Sequence, residues 1–461
     1  MSMELKEQSR SGEDVFIERF EDLIGPNTNG SESEWTLNRR NAIQVFAQNG
    51  FPNKKSESYK YTPVTKWLQS QLKNGMHTAA GSSVQSGNLK NEALPTPLLD
   101  ESEVRGEPSS LENMKGLHVH ATNGLIRGSL SEALPTGLII CSFKQALVDH
   151  PKLLSEYLTK AVVLERDPFA ALASAFAEDG ILIFVPAGLE VEKAIVIHHD
   201  ALFSNSLIQA RLLVVAEEGT KVNVIEHFPF LDAGSSFENR VAEVFAGKGA
   251  RVDHVLVMER NDQTLFVNSL FVHQDANSFF RTNTVTLGGG LVRHNLNFLP
   301  DAEECETHLH GLYVAKGTAH VDNHTLVDHA KPNCFSNEIF KGIVTNQAVG
   351  VFNGKVLVRQ DAQKTNAYQS SKCIVLDRGA RTYAKPELEI YADDVKCSHG
   401  ATTGELDEDA LFYLRARGIH PDAAKLMLLE AFAKDIIGLI DFDEVRNYLY
   451  QRLHGLLTVT K

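Results

Sequence analysis

From about Ile195 to Cys397 the chain is a succession of short runs in which apolar and polar residues alternate, as in Arg211 to Ala216 and Lys221 to Glu226. Alternation with a period of two is the mark of a strand with one face in a core. The runs are separated by turns in which a small residue stands beside a charged one. These turns centre on Gly219, Gly249, Ala276, Ala302, Gly317, Ala348, Ala362, Gly379 and Asp393, and most intervals lie near one or two times about 14 residues. A fixed spacing of this kind is expected of coils that stack, each burying its apolar face against the next. The first expectation is therefore a mainly β chain built on a right-handed parallel β-helix. A double-sheet roll of the cupin kind is the second.

Stacked coils leave strand edges open at either end, and the sequence supplies helices on both sides that could cover them. Residues 1–75 read as helical, with Val15, Phe16, Phe20 and Leu23 on one face and the pattern repeated over 35–46 and 64–72. Between these helices, Gly50 to Thr62 is a basic, aromatic loop, read as a solvated connector or a binding patch. Residues 76–115, rich in Gly, Ser, Asn and Pro, read as a flexible linker. Residues 116–194 are mixed: 142–158 looks helical, and Pro168 suits the first turn of a helix that breaks at Asp179 and Gly180 into a strand over 181–185. The β-helix core is assigned to 195–400 and a helical region to 401–461. In the latter, Asp407 is a plausible cap, Gly418 an exit and Pro421 the start of the next helix.

Composition narrows the function. Lysine and arginine number 45 against 59 aspartates and glutamates, a net charge of −14, which argues against nucleic acid or an anionic membrane as partner. The first residues carry no basic segment leading into an apolar run, and no window holds about 18 uninterrupted apolar residues, so a cytoplasmic chain is expected. The five cysteines, Cys141, Cys305, Cys334, Cys373 and Cys397, are odd in number and never spaced C-x-x-C. Neither a disulfide framework nor a self-contained zinc or iron-sulfur site is indicated. Gly288 to Gly290 lacks the setting of a phosphate loop, so ATP is not expected to bind here.

Two constellations carry possible chemistry. His308 and His310 share a face of a strand, so they could give a metal two ligands, as in cupins; the plainer reading is ordinary sheet histidines. Cys397 and His399, also two apart, put a thiol and an imidazole on one face where the period changes from strand to helix. Read from the residues alone, Cys397 is as readily a small buried hydrophobe, and two ligands cannot close a four-coordinate iron. The pair is a half-site at best.

The stretch Pro386 to Thr402, with Leu411 to Ile419 after it, resembles the SufD signature within the SufB/SufD family of iron-sulfur cluster assembly scaffolds. The order Lys331 to Ser336, Phe340-Lys341, Gly350 to Gly354, Ala362 to Asn366 and Ala384 to Pro386 follows the same family, as does Gly50 to Thr62 near the start. Cys397-Ser398-His399-Gly400 is similar to SufD, where SufB would show Glu-His-Glu, and serine stands near 369–371 where SufB carries its scaffold cysteine. The resemblance implies a β-helix flanked by helices and a non-catalytic scaffold subunit. Its implied partners are SufB, paired as a heterodimer through the β-helix, and the SufC ATPase, held by the C-terminal helices. A homodimer is possible when the chain is isolated. The resemblance further implies that His399 and Cys397 lie at the SufB interface beside a transient iron-sulfur cluster. Leu411, Phe412, Tyr413, Arg415, Arg417, Leu426 and Phe432 would form the SufC dock. No cofactor would be bound tightly by this chain alone, and ATP would act through SufC. The competing reading from the residues is a cytosolic metal-dependent, cupin-like enzyme using His308 and His310, and a self-associating structural solenoid is a third.

Overall fold

Each alternating run becomes a strand, and consecutive strands are dealt in turn to two parallel sheets. One sheet carries Ser206–Ala216, Ser236–Ala246, Thr264–Gln274, Leu291–Pro300, His320–His329, Val349–Val358 and Arg381–Ile390 in that order. The other carries Ala194–Asp200, Lys221–Phe228, Arg251–Met258, Phe279–Thr286, Glu306–Ala315, Phe335–Val344, Asn366–Val375 and Lys396–Gly404. The result is a β-solenoid of about eight turns, with helices at both ends of the chain. This computed structural model describes residues 12–24, 34–52, 56–72, 76–78, 83–84, 111–128, 133–201, 206–231 and 234–458.

The register explains the spacing seen in the sequence. From one coil to the next the pairing advances 26 residues at its shortest, Leu265 on Leu291, and 32 at its longest, Val349 on Arg381. A full coil is two strands and two turns, so the interval near 14 is half a coil. The turns into the second sheet share one backbone feature. Gly219, Gly249, Asn277, Glu304, Asn333 and Lys364 all have φ between 59° and 67°. Each of these residues donates its N–H to the turn of the following coil, for example Gly249 to Ala276 and Asn333 to Gln363. Glycine and asparagine take this left-handed conformation cheaply, whereas Glu304 and Lys364 pay roughly 1 kcal/mol each.

Side chains facing inward from both sheets fill the lumen. Val224, Val252, Leu270, Phe280, Leu296, Leu309, Val327, Phe340 and Phe352 form one continuous apolar column. Each such side chain contributes about 1.5–3 kcal/mol by leaving water. A polar layer interrupts the column: Glu226 accepts from His199 at 3.0 Å, from His254 at 2.8 Å and from Arg240 at 2.9 Å.

The helices lie on the outer faces and not over the open ends, which corrects the expectation that they cap the coils. Gly12–Ile24, Glu34–Asn49, Val64–Leu72 and Pro168–Phe176 bury Phe16, Phe20, Phe46 and Phe169 against Phe237, Val241 and Leu265 of the first sheet. Asp167 caps the last of these helices by accepting from the Phe169 and Ala170 amides. Pro421–Ile437 and Asp443–Thr458 bury Leu429, Ile436, Leu449 and Leu453 against Val255, Val285, Leu312 and Ile343 of the second sheet. The physical reason is area: an outward sheet face presents a broad apolar surface, whereas an end exposes a single coil.

Other boundaries shift. The helical stretch expected over 142–158 is two helices, Phe143–Asp149 and Pro151–Tyr157, broken because Pro151 opens a new first turn. The last strand runs to Gly404, seven residues past Cys397. Of the expected linker, Met76–Thr78 and Ser83–Val84 are short strands joined to the first sheet, while 85–110 lies outside the described residues. The loop near Gly50 is a strap across the first sheet. Thr62 donates to Asp322, Lys385 meets Glu57 at 3.0 Å, and the Tyr61 and Tyr383 rings stack at 4.4 Å.

Candidate functional site

The last coil, Arg381–Ile390 in one sheet and Lys396–Gly404 in the other, has a neighbour on one side only. The two open edges differ. In the first sheet Arg381 and Tyr391 donate their N–H groups inward to Ala348 and Val358, so the alternate positions, Pro386 among them, face the open side. Proline there and the charged neighbours Lys385, Glu387 and Glu389 make that edge a poor template for another strand. In the second sheet Lys396 donates inward to Thr365. By the same alternation the backbone groups of Cys397, His399, Ala401 and Thr403 point to the open side, and no proline interrupts them.

The same four residues aim their side chains at the lumen, in register with Ala367, Gln369, Ser371 and Cys373 below. Cys397 is half-buried against Val356, Val358, Ala367 and Ala392, and burial pushes its thiol up. His399 is exposed. The two expected half-site residues thus stand side by side on the free end of the lumen. Under them, Gln369 donates to Glu338 at 2.7 Å. Burial raises the Glu338 carboxyl to about 7.

The expected docking helix, Glu408–Ala416, buries none of its residues. Phe412 is 71% exposed and Tyr413 58%, with Arg417 lying over the Tyr413 ring at 5.0 Å; Arg415 is also exposed and Leu411 half-buried. Leu426 and Phe432 pack into the cluster between helix and sheet, and Lys341 sits 4.4 Å from the Phe432 ring. The free apolar surface of this region is Phe412, Tyr413 and Met427.

Two family models cover most of the chain. The SufBD core domain of the SUF iron-sulfur cluster assembly system matches residues 199–432, and the SufBD N-terminal region matches 12–83 and 109–197. The chain belongs to the SufBD family. A SufBD family protein of Synechocystis, named for iron-sulfur cluster assembly, is 30% identical over 92% of this chain and 91% of its own length. The iron-sulfur cluster assembly protein SufD of Escherichia coli is 27% identical over 89% and 90%. A chloroplastic protein of Arabidopsis thaliana, ABCI7, is 32% identical over 63% of each.

The histidine pair of the competing reading sits elsewhere in this SufBD protein, on the outer face of the second sheet. His308 meets Glu306 at 2.6 Å and His310 meets Asn283 at 3.0 Å, with burial holding His310 down at about 3. Among the described residues no three His, Cys, Asp or Glu side chains are grouped to hold a metal ion. The fold is also a solenoid and not a cupin roll. No described helix is long and apolar enough to cross a membrane.

Glu338 was not singled out by sequence reasoning, and Gln369 entered only as part of the stretch 369–371 aligned with the SufB cysteine. Their lumen-facing parity, shared with Phe340 and Ala367, is the signal that could have found them, since a carboxylate on an apolar face is unusual. Glu338→Gln tests this setting. The folded chain holds the carboxyl proton up to about 7, while an unfolded glutamate releases it near 4.3, so ionisation weakens folding as pH rises between those values. The substitution is expected to stabilise the chain by about 2–3 kcal/mol at pH 8 and by little at pH 4, read from urea midpoints at the two pH values. Equal effects at both would contradict it.

Proposed function

We propose that this chain is a non-catalytic scaffold subunit of iron-sulfur cluster assembly, working in the cytoplasm. Its second-sheet edge pairs with a sister subunit of SufB type. The observation that carries the reading is the open strand Lys396–Gly404, unbroken by proline and bearing Cys397 and His399 at the free end of the lumen. Two ligands here leave an iron of a cluster to be completed across the interface, which suits a site that exists only in the pair. The cluster is then cargo of the complex, formed transiently and passed on.

The helix bearing Phe412 and Tyr413 is the docking point for a SufC-type ATPase, which would bring ATP to the complex. Exposed aromatic residues on a helix with no buried face support this assignment. Phe412→Glu should change the stability of the isolated chain by less than about 0.5 kcal/mol and weaken ATPase binding at least about tenfold. Undiminished binding of the ATPase by that variant would remove the helix from the interface.

The test of the whole reading is reconstitution of the complex with sister subunit and ATPase, comparing the unaltered chain with His399→Ala. Cluster yield is expected to fall while the complex still assembles. An unchanged yield would take His399 out of the mechanism, and failure of either companion to bind would sink the scaffold assignment. A homodimer formed through the same edge is the state expected when the sister subunit is withheld.

A further inference from the structure

A cavity of about 440 Å³ opens on the outer face of the first sheet, far in sequence from the last strand. The strap at Ser58 and Tyr59 and the stretch from Ala161 to Asp167 meet there with the strands Thr264–Gln274, Leu291–Pro300 and His320–His329. That volume is within the range that takes a small organic molecule. Its apolar lining comes from Phe271, Leu299, Leu326 and Val163.

The carboxylates around it are already engaged. Asp167 accepts from two backbone amides and from Ser269, and Asp328 is held by Arg359 at 2.8 Å; Asp322, outside the lining, is held at Oδ2 by Arg293 and keeps Oδ1 buried without a partner. Besides the buried Thr325 hydroxyl, two lining groups remain uncommitted. Arg166 is exposed at the cavity and has no ion-pair partner among the described residues. His324 has its Nε2 buried with no hydrogen-bond partner. Burial, reinforced by the Arg293 charge, holds that imidazole down at about 3, so at neutral pH it is uncharged and has one N–H to give.

We propose that this cavity binds a small anion carrying an apolar ring. The charged group is held between Arg166 and His324, and the ring lies on Phe271, Leu299 and Leu326. A cation would find both lining carboxylates, Asp167 and Asp328, with their oxygens occupied, whereas an anion meets a free guanidinium and an unpaired ring nitrogen beside a dry wall. The net charge of −14 does not oppose this at physiological salt, where the far field is screened within about 8 Å and the contact groups decide. A phosphate ester and a carboxylate share this chemistry.

Phenyl phosphate and benzoate, titrated separately into the full chain by calorimetry, test the site. At least one is expected to bind one to one with Kd below about 1 mM. Arg166→Ala and His324→Ala should each weaken it at least about fivefold. Val163→Trp, at a position 43% exposed, should abolish it by filling the mouth. The tighter of the two probes identifies the head group. Thermal melts report folding of each variant; should His324→Ala not fold, the two exposed positions carry the test. The proposal is overturned if neither probe binds in that range, or if binding is unchanged in Arg166→Ala and Val163→Trp.

Discussion

Replacing Ala401 and Thr403 together by proline is expected to leave the isolated chain folded and to weaken pairing with the sister subunit roughly 10- to 100-fold. The N–H groups of these residues face the open side of the last strand, while Lys396 and the positions alternating with it serve the coil below. Proline therefore removes two donors that the solenoid does not use. Each ladder hydrogen bond is worth a net 0.5 to 1.5 kcal/mol, so two account for about 1–3 kcal/mol of pairing energy. The opposite parity supplies the control. Ser398→Pro with Thr402→Pro strikes bonds to the preceding strand and should lower the melting temperature of the isolated chain. If the first pair of substitutions leaves the affinity for the sister subunit intact, the edge is not the interface.

The second large effect concerns stability. Arg211 and Glu243 are wholly buried between the first sheet and the helix Pro168–Phe176, 2.5 Å apart. Arg211 also donates to Ser174, and Glu243 accepts from the amides of Thr159 at 2.9 Å and Ala161 at 3.1 Å. Burial pushes the guanidinium down and the carboxyl up, so each ion is tolerated only because the other is there. Arg211→Met strands the carboxylate and should cost about 3–5 kcal/mol, seen as a lower urea midpoint. Lys248→Met breaks the ion pair with Glu218 at 3.2 Å, whose partners are 61% and 66% exposed, and should cost less than about 1 kcal/mol. Comparable losses from the two substitutions would contradict this account of the buried pair.

Much of the solenoid was legible because its rule is local. A strand with one face in the lumen must alternate, and each half coil needs a turn, so period and spacing were visible at Arg211 to Ala216 and at Gly219 and Gly249. The turn chemistry was read only in part: the shared requirement is a left-handed residue, which Glu304 and Lys364 satisfy without being small. Helix placement was less accessible, because Phe16 and Leu429 reveal an apolar face without saying which surface it meets. Asymmetry of the two open edges rests on parity, and parity at Pro386 or Ala401 follows from hydrogen bonds between residues about thirty apart. Cys397 and His399 were visible as neighbours on one face. Glu338 beneath them was legible only through the parity it shares with Phe340, a weaker signal than two potential ligands side by side.

Backbone hydrogen exchange of the last strand, with and without the sister subunit, tests the central claim most directly. In the isolated chain below its self-association range, the amides of Cys397, His399, Ala401 and Thr403 should exchange fast while those of Ser398, Gly400 and Thr402 are protected. On complex formation the first set should become protected by at least about tenfold. Exchange of the four that is the same in the free chain and in the complex would contradict pairing through this edge.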